Sequence, residues 1–301
     1  MPIQVMTPFA FIGVLVKLSF SAAPNFTREL ALGGRIWREY WITQNCGMTV
    51  TGRPNIACAV WMCGGGGGGA YARSSNANPN GGGGGGGGFY ALYEGPLSDG
   101  LITIGQGGAQ TGTADATNGG ASSLAMTALN ETITANGGYA GTSTFSGTGY
   151  PSNGGNGGSG GGASGTTGIP GTGQGGNAYP FGDMTNFANP WCAGGGAGGS
   201  LNSQTFLFRT GGAGGTNGGS GGAMQDGATS NDVMGGLGGI EGGGNGGSAR
   251  AGVTTILTGG YGTMYGAGGG GGSRRYIPPT QAVGNGGAGF QGIVIIRIPI
   301  S

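Results

Sequence analysis

Apolar and polar residues alternate along several short stretches of the chain, and this alternation predicts β-strands. One face of residues 9–20 is continuously apolar and carries Ala10, Ile12, Val14, Val16, Leu18 and Phe20. Further runs rich in β-branched and aromatic residues lie at 35–43, 55–63, 89–94, 101–105, 122–126, 131–135 and 292–300. The last run, GIVIIRIPI, has the strongest strand character, and we expect it to pair near 56–63.

The segments between these strands predict one helix and no membrane span. Asn25 precedes FTREL, and asparagine is favourable at a helix N-cap, so a short helix is expected there. No apolar run reaches the ~18 residues that a membrane-spanning helix needs. The apolar stretch at 8–16 has no basic residue before it and is closed by Lys17, which favours a strand over a signal segment.

Glycine divides the chain into two parts. Of the 301 residues 84 are glycine, and only five of these glycines precede residue 56. We therefore expect a β-rich N-terminal module at 1–55 and a glycine-rich domain at 56–301. In the second part, blocks such as GGNGGSGGG at 154–162 alternate with inserts that carry ordinary side chains.

Such glycine blocks have three possible conformations: a flexible linker, a collagen-like triple helix, and a packed bundle of polyproline-II-type glycine strands, called polyglycine II. Collagen requires glycine at every third residue without interruption, and the inserts break that period. In a bundle, the absence of Cβ atoms lets strands approach closely and exchange N–H···O=C hydrogen bonds. We expect an all-β, irregular fold with a polyglycine-II bundle at about 137–290. Its antiparallel β base is predicted from the runs at 56–63, 89–94, 101–105, 131–135 and 292–300.

The composition excludes most catalytic chemistry. Charged residues are 7% of the chain, the net charge is +1, and histidine is absent, which removes the commonest general base and metal ligand. G-x-G-x-x-G and G-x-S-x-G patterns occur because glycine is abundant, and none follows a strand and opens a helix. The eleven Lys and Arg residues form no basic stripe of the kind that binds nucleic acid. We predict a protein that is not an enzyme and that uses no cofactor, metal ion or nucleic acid.

The four cysteines have no metal-binding spacing. Cys58 and Cys63 lie five residues apart in one predicted strand, so their side chains point to opposite faces and do not pair there. Free buried thiols are therefore expected, in a protein assembled in a reducing cytoplasm.

Aromatic residues in the inserts are the best candidates for a binding surface. Rigid rings among Ser, Asn, Gly and Thr are typical of binding surfaces, although the same rings can also pack over the ends of glycine strands. Nearby arginines are candidate anchors. The candidate binding residues are Tyr150, Tyr179, Phe181, Phe187, Trp191, Phe206, Phe208, Arg209, Tyr261, Tyr265, Arg274, Arg275 and Tyr276.

A set of segments follows in order along the chain: AVWMCGGGGGG, GGGGFYALYEG, LITIGQGGA, SSLAM, ETITANGG and GGAGFQGIVIIRI. This order, over about residues 50–301, resembles the glycine-rich domain common in bacteriophage tail and appendage proteins. The alternation of glycine blocks with aromatic inserts is similar to the tail-fibre-tip adhesins of T-even-like phages. Those adhesins use packed polyglycine-II strands to present variable loops to a receptor on the host surface.

The resemblance implies a virion protein on the exposed tail or capsid surface, assembled in the host cytoplasm, whose insert loops bind a protein or glycan of the host surface. It also implies that residues 1–55 dock on other virion proteins, with Arg35, Trp37, Tyr40 and Trp41 as candidate docking residues. Two alternatives remain open. One is a non-adhesive virion structural protein, such as a capsid decoration, neck or tail component, and the other is an extracellular glycine-rich assembly or ice-binding protein.

Overall fold

The computed structural model describes residues 16–32, 34–52, 55–72, 81–110, 116–143, 153–158, 160–162, 195, 200–202, 232–233, 238, 243–246, 249–250, 258–277 and 280–300. Within these ranges the chain forms strands and no helix. The strands are β1 (Val16–Phe20), β2 (Phe26–Leu32), β3 (Arg35–Ile42), β4 (Cys46–Gly52), β5 (Cys58–Cys63), β6 (Tyr90–Gly95), β7 (Gly100–Thr103), β8 (Ser122–Met126), β9 (Glu131–Ala135), β10 (Ser200–Asn202), β11 (Asp232–Val233), β12 (Ala249–Arg250), β13 (Arg274–Ile277), β14 (Thr280–Val283) and β15 (Ile293–Pro299).

Ten of these strands form two antiparallel sheets of five strands each. The first sheet has the order β1-β4-β7-β8-β9 and the second sheet has the order β2-β3-β15-β5-β6. The shorter strands form a three-stranded sheet, β10-β13-β14, and a two-stranded ribbon, β11-β12. The predicted all-β fold with an antiparallel base is confirmed.

The two large sheets enclose a shared apolar core. Alternate residues of each strand point inward, so Val16 of β1 and Val294 of β15 both lie in this core. β15 lies between β3 and β5, and its pairing with β5 confirms the expected closure of the base. Its opposite face is also buried, since Ile295 packs in a second cluster with Trp61. Burial on both faces explains why residues 293–296 of this strand form an unbroken apolar run in the sequence.

Strands from the N-terminal part join both sheets. β1 pairs with β4 at the edge of the first sheet, and β3 pairs with β15 in the second. Strands on either side of residue 55 therefore share each sheet. The predicted helix after Asn25 is wrong, because residues 26–32 form β2. This strand pairs along its whole length with β3 and places Arg28 opposite Glu39.

The glycine run after β5 forms the centre of a polyglycine-II bundle. Successive N–H groups along residues 64–72 donate in rotation to three neighbouring strands, at 81–89, 116–120 and 284–290, with N···O distances of 2.8–3.1 Å. Gly67, for example, donates to Gly86. The rotation has a period of three residues, as a helix with three residues per turn requires.

The carbonyl groups of the same run face three more strands. They accept hydrogen bonds from N–H groups in residues 105–110, 136–143 and 266–273. Six strands therefore surround residues 64–72. The three strands whose carbonyl groups accept from this run are antiparallel to it, and the three strands whose N–H groups donate to it are parallel to it. The bundle begins at residue 64, which is N-terminal to the predicted range of about 137–290.

Close approach of the strands requires glycine inside this bundle. A Cβ atom on Gly67 would overlap the carbonyl group of Tyr139, and one on Gly86 would overlap that of Asn156. Side chains on the bundle surface also close parts of the hydrogen-bond pattern. Asn118 Oδ1 accepts a hydrogen bond from the Ala140 N–H at 2.8 Å. The core of the bundle is therefore a lattice of backbone hydrogen bonds, to which side chains add little apolar burial.

The cysteines of the described ranges match the prediction of free buried thiols. Cys46, Cys58 and Cys63 are free and buried. Cys58 lies in the core between the sheets and Cys63 lies in the second cluster, on the opposite face of β5. Burial raises the pKa of Cys58 to about 12 and also raises the pKa of Cys46. Both thiols therefore stay protonated and unreactive near neutral pH.

The raised pKa of Cys58 predicts that stability falls as the pH rises from 9 to about 12. An unfolded thiol ionises near its ordinary pKa of 9.0, whereas the folded thiol stays protonated up to about 12, so ionisation of the unfolded chain favours unfolding in this window. Chemical denaturation below and within the window should show a smaller loss for Cys58→Ala than for the unsubstituted protein. An equal loss in both proteins would contradict the assignment.

Candidate binding end of the glycine bundle

The two ends of the glycine bundle differ in their connections. Residues 64–72 continue from β5, so Gly64 lies beside the sheets and Ala72 lies farthest from them. Residues 81–89 run back antiparallel and lead into β6. The connection at 73–80 therefore leaves and re-enters the bundle at its distal end. We call this distal end the loop end and define it by Ala72, Thr142, Asn153, Ser273 and Gly284.

The same arrangement recurs in three further pairs of strands. Residues 105–110 run outward from β7, and 116–120 return to β8. Residues 136–143 run outward from β9, and the Thr142 N–H donates to the Asn153 carbonyl at 2.9 Å where the chain returns. Residues 266–273 run outward to β13, and 284–290 return from β14 into β15. The connections of all four pairs of strands thus open at the loop end.

The structure locates some of the predicted binding residues and leaves others outside its described ranges. Arg274, Arg275 and Tyr276 lie in β13, which directly follows an outward strand and therefore starts at the loop end. β10 pairs with it in parallel, so residues 200–202 belong to the same end. The predicted residues outside the described ranges are Tyr150, Tyr179, Phe181, Phe187, Trp191, Phe206, Phe208 and Arg209.

Tyr261 and Tyr265 occupy other parts of the bundle. The side chain of Tyr261 is 60% exposed, and its strand at 258–262 runs along residues 284–290. Tyr265 lies at the sheet end, partly buried against the cluster that contains Trp61, with its ring centroid 5.6 Å from that of Phe290. Burial raises the pKa of Tyr265. Its ring therefore supports the junction between the bundle and the second sheet, far from the loop end.

The four predicted docking residues all lie in β3 but differ in exposure. Arg35 is exposed and Trp37 is partly buried. Tyr40 is buried in the core, 5.2 Å from the ring of Phe20, and Trp41 is buried on the other face of the sheet. Tyr40 and Trp41 therefore stabilise the chain itself, which leaves Arg35 and Trp37 as the accessible pair.

Sequence reasoning missed two side chains at or next to the loop end. Tyr71 is partly buried just before Ala72, and Val283 is 43% exposed just before Gly284. Both positions could have been recognised in the sequence, because each is a large side chain at the junction between a glycine run and an insert. In the described ranges, no group of three or more His, Cys, Asp or Glu residues is placed to hold a metal ion. The same ranges contain no helix long and apolar enough to span a membrane.

Two antiparallel sheets that continue into a polyglycine-II bundle define a glycine-rich structural domain with one loop-bearing end. A family model described as a glycine-rich domain matches residues 43–299, so the chain belongs to the glycine-rich domain family. No curated protein matches the chain.

The family match shows which strands lie outside the family domain. It begins just before β4 and ends with β15, so it includes the bundle and seven strands of the two large sheets. The three strands that precede it are β1, β2 and β3. β1 lies beside β4 at the edge of the first sheet, and β3 and β2 lie beside β15 at the edge of the second. The N-terminal strands therefore widen both sheets of the family domain: β1 adds to the edge next to β4, and β3 and β2 add to the edge next to β15.

Proposed function

We propose that the protein is an exposed component of a virus particle, a phage tail-fibre or appendage tip that presents loops to a receptor on the host surface. One observation carries this proposal: the connections of four pairs of bundle strands open at the loop end, away from the sheets. Connections gathered at one end of a hydrogen-bonded frame suit recognition of a partner, because a rigid frame lowers the entropy lost on binding. The other end, with the N-terminal strands, is the part that docks on further virion proteins.

The chemistry of the inserts supports a protein or glycan ligand. They supply aromatic rings such as Phe181 and Trp191 together with arginines, which are the residue types that dominate binding hot spots. Arg274 and Arg275 are the first residues of β13, which starts at the loop end. A host-surface protein or glycan is the partner that such a surface suits, and the low overall charge of the chain favours contacts through rings and polar groups.

A combined substitution of insert residues tests the proposal. We expect Phe181→Ala, Trp191→Ala and Arg274→Ala together to reduce binding of the labelled protein to susceptible bacterial cells by at least about tenfold, since each hot-spot residue contributes about 1 kcal/mol or more. Leu101→Ser is the matched control, because Leu101 is 57% exposed on the first sheet, away from the loop end. Unchanged binding of the triple variant would exclude adhesion through these loops.

A second candidate function is a non-adhesive structural component of the particle. The exposed Leu101 on the outer face of the first sheet favours it, because an accessible large apolar side chain suits a lateral protein contact. Immunogold labelling of intact particles distinguishes the two functions. Labels at fibre or appendage tips are expected for an adhesin, and labels distributed over the shell would support the structural role.

A further inference from the structure

Two Asn-Gly pairs lie close together on the surface of the glycine bundle. One is Asn118-Gly119 in the strand that leads into β8, and the other is Asn136-Gly137 in the strand that leaves β9. The two bundle strands continue the antiparallel pairing of β8 with β9. Asn118 and Asn136 are both exposed, so the two pairs have similar access to solvent and differ in their hydrogen bonds.

The first pair is held at both of its reactive groups. The Asn118 Oδ1 atom accepts a hydrogen bond from the Ala140 N–H at 2.8 Å. The Gly119 N–H donates to the Gly138 carbonyl at 2.8 Å. The side-chain amide and the main-chain nitrogen that follows it are therefore both fixed against the neighbouring strand.

The second pair lacks both restraints. One turn of the three-residue helix before Ala140, the corresponding N–H belongs to Gly137. The position that corresponds to Asn118 is there occupied by Ala121, whose methyl group cannot accept a hydrogen bond. Within the described part of the chain, neither the Gly137 N–H nor the Asn136 side chain forms a hydrogen bond. Asn136 and Ala121 are both exposed, so water reaches this position.

We propose that Asn136 is a site of spontaneous deamidation in the folded protein. The Gly137 nitrogen gives its proton to a base and attacks the side-chain carbonyl carbon of Asn136. A new C–N bond closes a succinimide ring as the bond to the side-chain nitrogen breaks, and ammonia leaves with a proton from water. Glycine at the second position favours this closure, because it has no Cβ atom to obstruct the ring.

Hydrolysis of the ring gives two products. Water that adds to the side-chain carbonyl leaves aspartate, and water that adds to the main-chain carbonyl leaves isoaspartate, which lengthens the main chain by one carbon. The Asn136 carbonyl accepts from the Phe89 N–H at 2.9 Å, and the Gly138 N–H donates to Gly65 at 2.9 Å. An additional carbon between these two hydrogen bonds disturbs the register, so isoaspartate would loosen the outer strand at 136–143.

Peptide mapping by mass spectrometry after incubation in mildly alkaline buffer tests the proposal. In the folded protein, Asn136 is expected to convert at least about fivefold faster than Asn118, because reaction at Asn118 first requires hydrogen bonds to break. In denaturant, where neither pair is held, the two rates are expected to be nearly equal. Equal rates in the folded protein, or faster conversion of Asn118, would overturn the proposal, as would a difference of the same size in denaturant.

Ala121→Asn tests the identity of the attacking group. The introduced amide oxygen can accept from the Gly137 N–H as Asn118 does from that of Ala140, so conversion of Asn136 is expected to slow by about fivefold. Ala109→Asn is the matched control, because Ala109 is exposed on a bundle strand that makes no hydrogen bond to 136–143 within the described ranges. An unchanged rate in Ala121→Asn, or an equal decrease in both variants, would contradict the assignment. The proposal is independent of the function proposed for the loop end.

Discussion

Gly67→Ala is expected to destabilise the protein by about 3 kcal/mol, because the added Cβ atom has no space inside the bundle. It would overlap the carbonyl group of Tyr139 on one neighbouring strand. Gly67 also donates a hydrogen bond to Gly86 at 2.8 Å and accepts one from Gly269 at 2.9 Å. Movement of the chain to relieve the overlap therefore weakens hydrogen bonds to further strands.

Gly47→Ala is the matched control for this substitution. Gly47 lies in β4, and a Cβ atom there would be 3.6 Å from Ser21 Oγ, which is ordinary van der Waals contact. Both substitutions reduce the flexibility of the unfolded chain to the same degree, so their difference reports the folded state. Chemical denaturation of the two variants gives this difference. Equal stabilities would show that residues 64–72 are not enclosed by other strands.

Glu39→Gln is expected to destabilise the protein by about 3–5 kcal/mol, because it leaves two guanidinium groups without their shared carboxylate. Glu39 is fully buried between Arg28 and Arg297 on one face of the second sheet. Its oxygens accept hydrogen bonds from Arg28 Nε at 2.8 Å, Trp41 Nε1 at 2.6 Å and Arg297 Nη2 at 2.6 Å. This cluster connects β2, β3 and β15, so it ties the N-terminal strands to the last strand of the family domain.

Glu29→Gln supplies the control for Glu39→Gln. Glu29 pairs with Arg38 on the same two strands, β2 and β3, at a neighbouring position of the register. The side chains of this pair are 39% and 51% exposed, so its loss is expected to cost less than about 1 kcal/mol. Urea denaturation of both variants measures the contrast. A loss below about 1 kcal/mol for Glu39→Gln would contradict the assignment of a buried charge cluster.

The strands of the base could be predicted from the sequence because they contain alternating apolar residues and runs of β-branched and aromatic side chains. β8 and β9 match the predicted runs at 122–126 and 131–135, and the predicted pairing of the terminal run near 56–63 is present between β15 and β5. β2 was missed because a local N-cap signal at Asn25 competes with its pairing. That pairing, between Arg28 and Glu39, becomes visible only across two strands.

The centre of the bundle could not be located from the sequence. The runs at 64–69 and 81–88 contain no side chains, so a turn and a lattice strand have the same pattern there. Their conformation is decided by hydrogen bonds to distant strands such as 284–290. The candidate site was predicted only in part, because the sequence does not show towards which end of the bundle each strand runs. Arg274 and Tyr276 lie in a strand that starts at the loop end, whereas Tyr265 packs at the opposite end, and only the direction of each strand distinguishes the two.

Amide hydrogen exchange of the protein labelled with ¹⁵N-glycine is the most direct test of the glycine lattice. The N–H groups of Gly65 to Gly69 and of Gly82 to Gly86 donate to carbonyls of other strands, Gly65 to Gly120 and Gly85 to Gly269 among them. A lattice predicts that these glycines exchange as slowly as the amides of β15 at the centre of the second sheet. Fast exchange of both runs while β15 remains protected would contradict it.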